Sequence, residues 1–396
     1  MQNNTMTNLP QGWEVKTLSE IGEIITGSTP SKSNVEFYGK DYPFFKPSDF
    51  EQGYFLENAG DNLSKLGFGK ARQLPPKTIL VVCIGSLGKV ALTRVIGSCN
   101  QQINAIIPHK NIISEYIYYY CISSKFQSIL FSKAPQTTLA IFNKTEFSKL
   151  EIIYPKDIKK QERIVGILDE SFAKIDESIK ILEQDLLNLD ELMQSALQKA
   201  FNPLKDNAKE NYKLPQSWEW KNLEEISENI SAGGDKPKNC TESKTAKNQI
   251  PVYANGVNNN GLVGYTDKAT IIKPSLTISA RGTIGFVCIR KEPYFPIVRL
   301  ISLIPCENIL CLHYLYFCLN FFIAKGEGSS IPQLTIPKFK SLQIPLPPLK
   351  EQEQIAKHLD FVFEKTKALK ELYTKELKDY EELKQSLLNK AFKGEL

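Results

Sequence analysis

The sequence has no CxxC pair, and its three histidines, His109, His313 and His358, stand apart from the eight cysteines. A zinc site needs four soft ligands in close pairs, so none is set up. There is no GxSxG and no HExxH, which removes the commonest hydrolase and metalloprotease arrangements. Gly88-Lys89 ends like a phosphate loop, but Cys83 stands where the upstream glycine is required. GSLG (85–88) and GTIG (282–285) lack dinucleotide-fingerprint spacing and read first as tight turns. The opening MQNNTMTNLPQGW is polar, with no signal-peptide core. The longest apolar stretch, YLYFCLNFFIA (314–324), is too short to span a bilayer and contains Asn320. These absences lead us to expect a cytoplasmic, non-catalytic chain that holds no metal or cofactor and makes no membrane contact.

What the sequence does have is itself, twice. LPQGWEVKTLSEI begins at Leu9 and LPQSWEWKNLEEI at Leu214, an offset of 205. CIGSLGKVALTR (from Cys83) and ARGTIGFVCIR (from Ala280) are 197 apart. IKKQERIVGILD and LKEQEQIAKHLD end at Asp169 and Asp360, 191 apart, and QSALQKAF and QSLLNKAF keep that offset at Phe201 and Phe392. The offset shrinks only inside the globular parts and is constant along the helices. Loops tolerate insertions, whereas a packed helix with a fixed seam does not. The period is far too long for a solenoid. It suggests a fused dimer with a pseudo-twofold axis.

Length and charge fit this division. A chain of 396 residues suits two to four domains. We divide it at 1–158, 159–204, 205–350 and 351–396: globular unit, helix, globular unit, helix. The net charges of these segments are +3, −3, +6 and −1. The positive excess therefore sits on the globular units, which suits contact with nucleic acid.

The first helix carries a heptad. Leu168, Ile175, Leu182, Leu189 and Ala196 form one row, and Phe172, Ile179, Leu186, Met193 and Ala200 the other. Pro203 is expected to end it. In the second helix, Lys370 and Lys384 stand where the first has Ile179 and Met193. A shifted stripe through Val362, Leu369, Leu372, Leu377, Tyr380, Leu383 and Leu387 reads as its better seam. Neither stripe can be buried alone, so the helices are expected to pair antiparallel as a rod of roughly 60 Å. The alternative is that each folds back onto its own globular unit.

The globular units read as mixed α and β. TILVVCIG and LTISARG look like strands, and EYIYYYCISSKF and CLHYLYFCLNFFIAK like aromatic helices. Cys121 and Cys318 fall at matching places in the repeat and read as buried thiols. Each unit closes with an extended segment, KLEIIYPKD or SLQIPLPPLKEQ, leading into its long helix.

Together these blocks resemble one family, the specificity subunits of type I restriction–modification systems. The resemblance rests on the paired LPQGWEVKTL and LPQSWEWKNL, on GSSIPQLTIPKFKSLQIPLPPLKEQEQIAKHLD, and on the closing KAFKGEL. The first unit departs from it: TTLAIFNKTEFSKLEIIYPKDIKKQERIVGILD lacks the PQL and LPP elements. The resemblance implies an α+β fold with two pseudo-twofold-related target recognition domains separated by an antiparallel coiled coil. Each domain would read one half of a bipartite double-stranded DNA site, and the coil would set the gap. It implies partners: methyltransferase subunits, two of them, and restriction subunits through the complex. S-adenosylmethionine, ATP and Mg would belong to those partners. The competing readings are a coiled-coil scaffold for protein partners, and an enzyme whose site no motif reveals.

Reading DNA needs phosphate contacts that position and side chains that reach base edges. The candidates in the first unit are Lys46, Ser48, Asp49, Ser86, Lys89, Arg94, Asn100, Gln101 and Gln102. Those in the second are Asn255, Asn258, Asn259, Arg281, Thr283, Arg299 and Gln333. The polar loop YANGVNNNG (253–261) stands out, although asparagines also serve as turn formers.

Overall fold

The computed structural model describes residues 9–133, 141–201, 214–323 and 334–396. It divides into two compact units, Met1–Leu182 with Lys375–Leu396, and Glu183–Thr374. Each unit thus takes part of both long helices, Ile158–Phe201 and Leu349–Lys393. Pro203 lies outside the described residues.

The two units have the same strand plan. The first contains a sheet ordered Gly22–Thr26, Ile103–Pro108, Ile79–Val82, Val90–Thr93, with Phe55–Leu56 as a fifth strand at the edge. The second has Ser227–Ala232, Ile301–Pro305, Ser275–Ile278 and Val287–Arg290 in the matching order. Beside each lies a three-stranded sheet: Asp61–Leu63, Tyr38–Phe45, Ser98–Cys99 in one, and Leu262–Thr266, Ile250–Tyr253, Phe295–Pro296 in the other. A third pairing joins the opening block of each unit to its closing segment. Trp13–Thr17 runs antiparallel to Glu151–Pro155, and Glu219–Asn222 to Gln343–Leu346.

A buried glutamine fixes the start of each long helix. Gln161 Oε1 accepts the Ile113 N–H (2.9 Å), and its Nε2 donates to Pro155 O (2.9 Å) and Asn111 O (3.3 Å). Gln352 does the same with Cys311 N–H (2.9 Å), Pro347 O (2.8 Å) and Ile309 O (2.9 Å). Each side chain satisfies three backbone groups at a crowded helix entry, where orphaned groups are costly.

The aromatic helices Ser114–Ile122 and Leu312–Phe322 pack on the large sheets. Tyr116 and Tyr314 donate to Ile153 O (2.9 Å) and Pro345 O (2.6 Å), so these two tyrosines correspond. Cys318 then matches Tyr120, not Cys121, one residue out of step with the sequence comparison. Both thiols are nonetheless buried.

The ends of the long helices finish the cores. Phe392 is buried in the first unit with its ring edge-on to Tyr116 and Tyr120. Phe201 is buried in the second against Tyr314. Within each unit the helices run antiparallel. In the first, Ile164 and Leu168 share a core with Leu388 and Ala391. In the second, Leu197 and Phe201 share one with Ala356 and Leu359.

The expected shifted seam on the second helix forms only in part: Leu377, Tyr380 and Leu387 are half-buried. Leu369, Leu372 and Leu383 remain exposed, Leu372 by 61%. The inward row is instead the regular heptad, through Gln352, Ala356, Leu359, Phe363, Thr366 and Lys370 in the second unit and Leu377, Tyr380, Lys384 and Ala391 in the first. It thus passes through both lysines. Lys384 Nζ meets Asp176 at 2.6 Å and lies 5.7 Å from the Phe172 ring centre; Lys370 pairs with Asp190. A lysine can pack its methylenes in a seam while its ammonium reaches a flanking carboxylate. Burial alone would lower the Lys384 ammonium pKa, but the Asp176 hydrogen bond and the Asp176 and Glu381 charges raise it above its ordinary value.

Candidate nucleic-acid interface

Three loops meet at one end of the large sheet in each unit. In the first they are the segment after strand Tyr38–Phe45, the turn after Ile79–Val82, and the turn before Ile103–Pro108. Backbone bonds hold them together: Asn100 N–H to Phe45 O (3.0 Å) and Cys83 N–H to Gln102 O (2.7 Å). In the second unit Ile297 N–H donates to Tyr253 O (2.8 Å) in the same way. Asn255 then ties all three loops, accepting the Ala280 N–H at Oδ1 (2.8 Å) and donating from Nδ2 to Val298 O (2.7 Å).

A fourth segment lies against this cluster, and only glycine allows it to. A Cβ at Gly27 would collide with the carbonyls of Cys99 and Asn100, and one at Gly233 with the backbone of Pro296 and Ile297. Gly27 and Gly233 donate to Ile103 O (2.9 Å) and Leu300 O (2.8 Å), so they occupy the same place. The sequence comparison did not single them out. Their signal was a Gly-Ser or Gly-Gly step directly after the first strand of each large sheet.

The turns GSLG and GTIG are equivalent. Gly88 N–H bonds to Val82 O (2.9 Å) and Gly285 N–H to Ser279 O (3.0 Å), and all four glycines have positive φ. Cys83, at the base of the first turn, is buried, which pushes its thiol pKa up to about 12. It stays protonated and is no nucleophile.

Most candidates fall on these loops, but in different states. Ser48, Ser86, Gln101, Asn258, Asn259, Arg281 and Arg299 are exposed. Gln101 accepts a hydrogen bond from Thr29. Asn259 is left-handed at φ 48°, so it is also a turn former. Lys46 pairs with Asp61, and Lys89 with Glu51, whose carboxyl is held below its ordinary range by the Lys89 hydrogen bond and charge. Gln102 is half-buried, donating to Ile84 O (3.3 Å). Thr283 is half-buried, and its hydroxyl has no partner among the described residues.

Two candidates are structural within this arrangement. Asp49 is buried and accepts the N–H groups of Lys46 (2.7 Å) and Gly60 (2.9 Å). Asn100 is buried and braces Gln102 through its Oδ1 (3.1 Å) and Nδ2 (2.8 Å). Arg94 is not in the cluster. It follows the far end of strand Val90–Thr93, roughly 13 Å of strand beyond the turn. There its guanidinium stacks on Phe55 at 3.7 Å and pairs with Glu57 at 2.9 Å. It lines a groove of 670 Å³ with Tyr118, Phe172 and Lys384. Gln333 lies outside the described residues. Conversely, exposed Lys32, Lys236 and Lys238, on the segments that follow Gly27 and Gly233, were not among the candidates.

A duplicated mixed α/β frame with its variable loops gathered at one end is the build of a recognition protein. The family model described as "Type I restriction modification DNA specificity domain" matches twice, at residues 10–186 and 215–379. The chain belongs to this family. It is 39% identical over 186 residues to the Type I restriction enzyme HindI specificity subunit of Haemophilus influenzae, a stretch covering 45% of this chain and 40% of that relative. The Type I restriction enzyme MjaIX specificity subunit of Methanocaldococcus jannaschii is 24% identical over 378 residues, covering 86% of this chain and 84% of its own. Among solved structures, a chain from a type I restriction–modification system, studied for its assembly and conformational transition, superposes with a TM-score of 0.81. It is 19% identical, with 98% of this chain and 99% of the other covered. The HsdS subunit of Thermoanaerobacter tengcongensis gives 0.61 at 19% identity, with both chains fully covered. These two likenesses concern the fold.

Proposed function

We propose that this chain is the DNA-specificity subunit of a type I restriction–modification complex, each unit reading one half of a bipartite site through its loop cluster. The observation that carries this reading is the pairing of an identical frame with unlike loops. The frame repeats down to its buried glutamines and its crowded glycines. The exposed side chains on the loops differ at nearly every position, as two readers of different sequences require.

The helices act as the spacer between half-sites. The chain performs no chemistry itself and works in the cytoplasm. Two methyltransferase subunits use S-adenosylmethionine, and restriction subunits use ATP and Mg. Exposed apolar residues on the helices support docking of two like partners. Leu383 and Ile181 in the first unit match Leu192 and Leu372 in the second at the 191-residue offset, and all four are exposed. Matched exposed aliphatic side chains on solvated helix faces suit a partner helix.

Removing one heptad from the first helix between residues 172 and 200, with its antiparallel counterpart in the second, tests the spacer role. Methylome sequencing of cells carrying the complex should show a shorter gap with both half-sites unchanged. An unchanged gap would remove the spacer role. Failure of the purified chain to bind a methyltransferase encoded beside it would count against the whole reading.

A further inference from the structure

The turn 100–103 of the first unit and the turn 297–300 of the second are the same piece of the frame. Besides the matched bonds to Phe45 and Tyr253, Ile103 N–H bonds to Asn100 O (3.2 Å) and Leu300 N–H to Ile297 O (3.1 Å). Gln102 and Arg299 therefore occupy one position. The first unit turns its side chain inward, where Gln102 bonds to Asn100 and Ile84. The second does the opposite. Val298 and Arg299 are both left-handed, at φ 54° and 60°, whereas neither Gln101 nor Gln102 has a positive φ.

A β-branched residue resists that conformation strongly, and nothing in the packing asks for it, since Val298 is half exposed. The turn is held there by Val298 N–H to Gly234 O (2.8 Å), Arg299 N–H to Gly233 O (2.8 Å) and Asn255 Nδ2 to Val298 O (2.7 Å). Strain that the surroundings over-determine is characteristic of functional sites. Its effect here is to leave Arg299 exposed, with no ion pair or side-chain hydrogen bond to a described residue. On the three loops of the first unit, Lys46 and Lys89 are each paired with an acid, and its exposed cation, Lys32, lies on the segment after Gly27.

Arg299 is also central. The Gly233–Gly234 segment, leading to Lys236 and Lys238, lies on one side of its turn, and Asn255 and Ala280 on the other. Phosphate contacts fix register and orientation, and sequence is read by side chains that reach base edges. A guanidinium matches the paired acceptors O6 and N7 of guanine with a rigid planar fork, which a lysine ammonium lacks. We propose that Arg299 reads a guanine in the major groove of the half-site bound by the second unit, and that the first unit reads no base from the equivalent position. This rests on the specificity-subunit reading above.

The test is a selection of random duplexes by the purified complex of the full chain with its methyltransferase partner, which needs no catalysis. The wild-type motif should contain a fixed G·C pair in one half-site. Arg299→Gln and Arg299→Lys should each reduce discrimination at that pair by about ten- to a hundredfold, and leave the other half-site intact as proof of folding. An unchanged motif in Arg299→Gln would overturn the proposal, and so would uniform weakening at every position in that variant, the mark of a phosphate contact. A wild-type complex that selects no motif would instead sink the specificity reading itself.

Discussion

The two units share a skeleton and differ in how they present charge. Around the first cluster, Lys46 and Lys89 are tied to Asp61 and Glu51. Its three loops expose hydroxyls and an amide, Ser48, Ser86 and Gln101, and Lys32 is exposed on the segment after Gly27. The second exposes Arg299, Lys236 and Lys238, with asparagines on the adjoining turn. The units also differ in length. The offset is 208 between Phe45 and Tyr253 but 197 between Val82 and Ser279, so the first unit carries 11 more residues there. The extra length falls in the stretch that carries the 3-10 turn Pro47–Gln52, the edge strand Phe55–Leu56 and the short helix Lys65–Lys70. The hydrogen-bonded frame absorbs such insertions without changing strand order. Reading surface and scaffold are therefore separable within each unit.

Three matched pairs of substitutions and one single change probe that comparison, from the largest expected effect to the smallest. Phe392→Ala should destabilise the first unit and Phe201→Ala the second, each by about 3–5 kcal/mol. Hydrogen exchange should show faster opening in the affected unit's core; equal loss in both units from either change would deny the separation. Gln161→Ala strands three backbone groups and should cost about 3 kcal/mol, with Gln352→Ala matching it in the second unit. Denaturant titration would reveal whether the two frames are equally dependent on this device. Gly27→Ala and Gly233→Ala should each cost about 1–3 kcal/mol through overpacking. Each should also blur one half-site in a duplex selection, because the loops must move apart.

Lys384→Met installs the residue that the first helix carries at the matching position, Met193. Because Asp176 remains largely exposed, the change should stay within about 1 kcal/mol of wild type. The sign of any pH dependence follows from the raised folded-state pKa. The pair's contribution is complete below lysine's ordinary value and is lost as pH rises through the raised one. Stability curves of wild type and variant should therefore run parallel through neutral pH and converge or cross only in strong alkali.

Much of this was legible in the sequence, for identifiable reasons. Duplication showed because matched blocks recur in order. The helices showed because Leu168, Ile175 and Leu182 recur at the spacing a seam demands. The second helix misled because Lys370 and Lys384 were read as too polar for a seam. Their partners Asp190 and Asp176 lie some 200 residues away in the sequence and become neighbours only once the helices pair. Arg94 misled because a strand carries it away from the turn that its sequence position suggests. Asp49 and Asn100 look like exposed polar loop residues until the backbone amides they satisfy are located. The left-handed pair Val298–Arg299 has no sequence signal, since neither residue favours that conformation.

The account stands most directly on whether one loop cluster governs one half-site. The decisive measurement is the motif selected from random duplexes by the complex carrying Ser86→Ala and Gln101→Ala, compared with wild type. We predict that one half-site loses definition while the other, and the gap between them, stay as they were. Loss of both halves together, or a changed gap with intact halves, would contradict it.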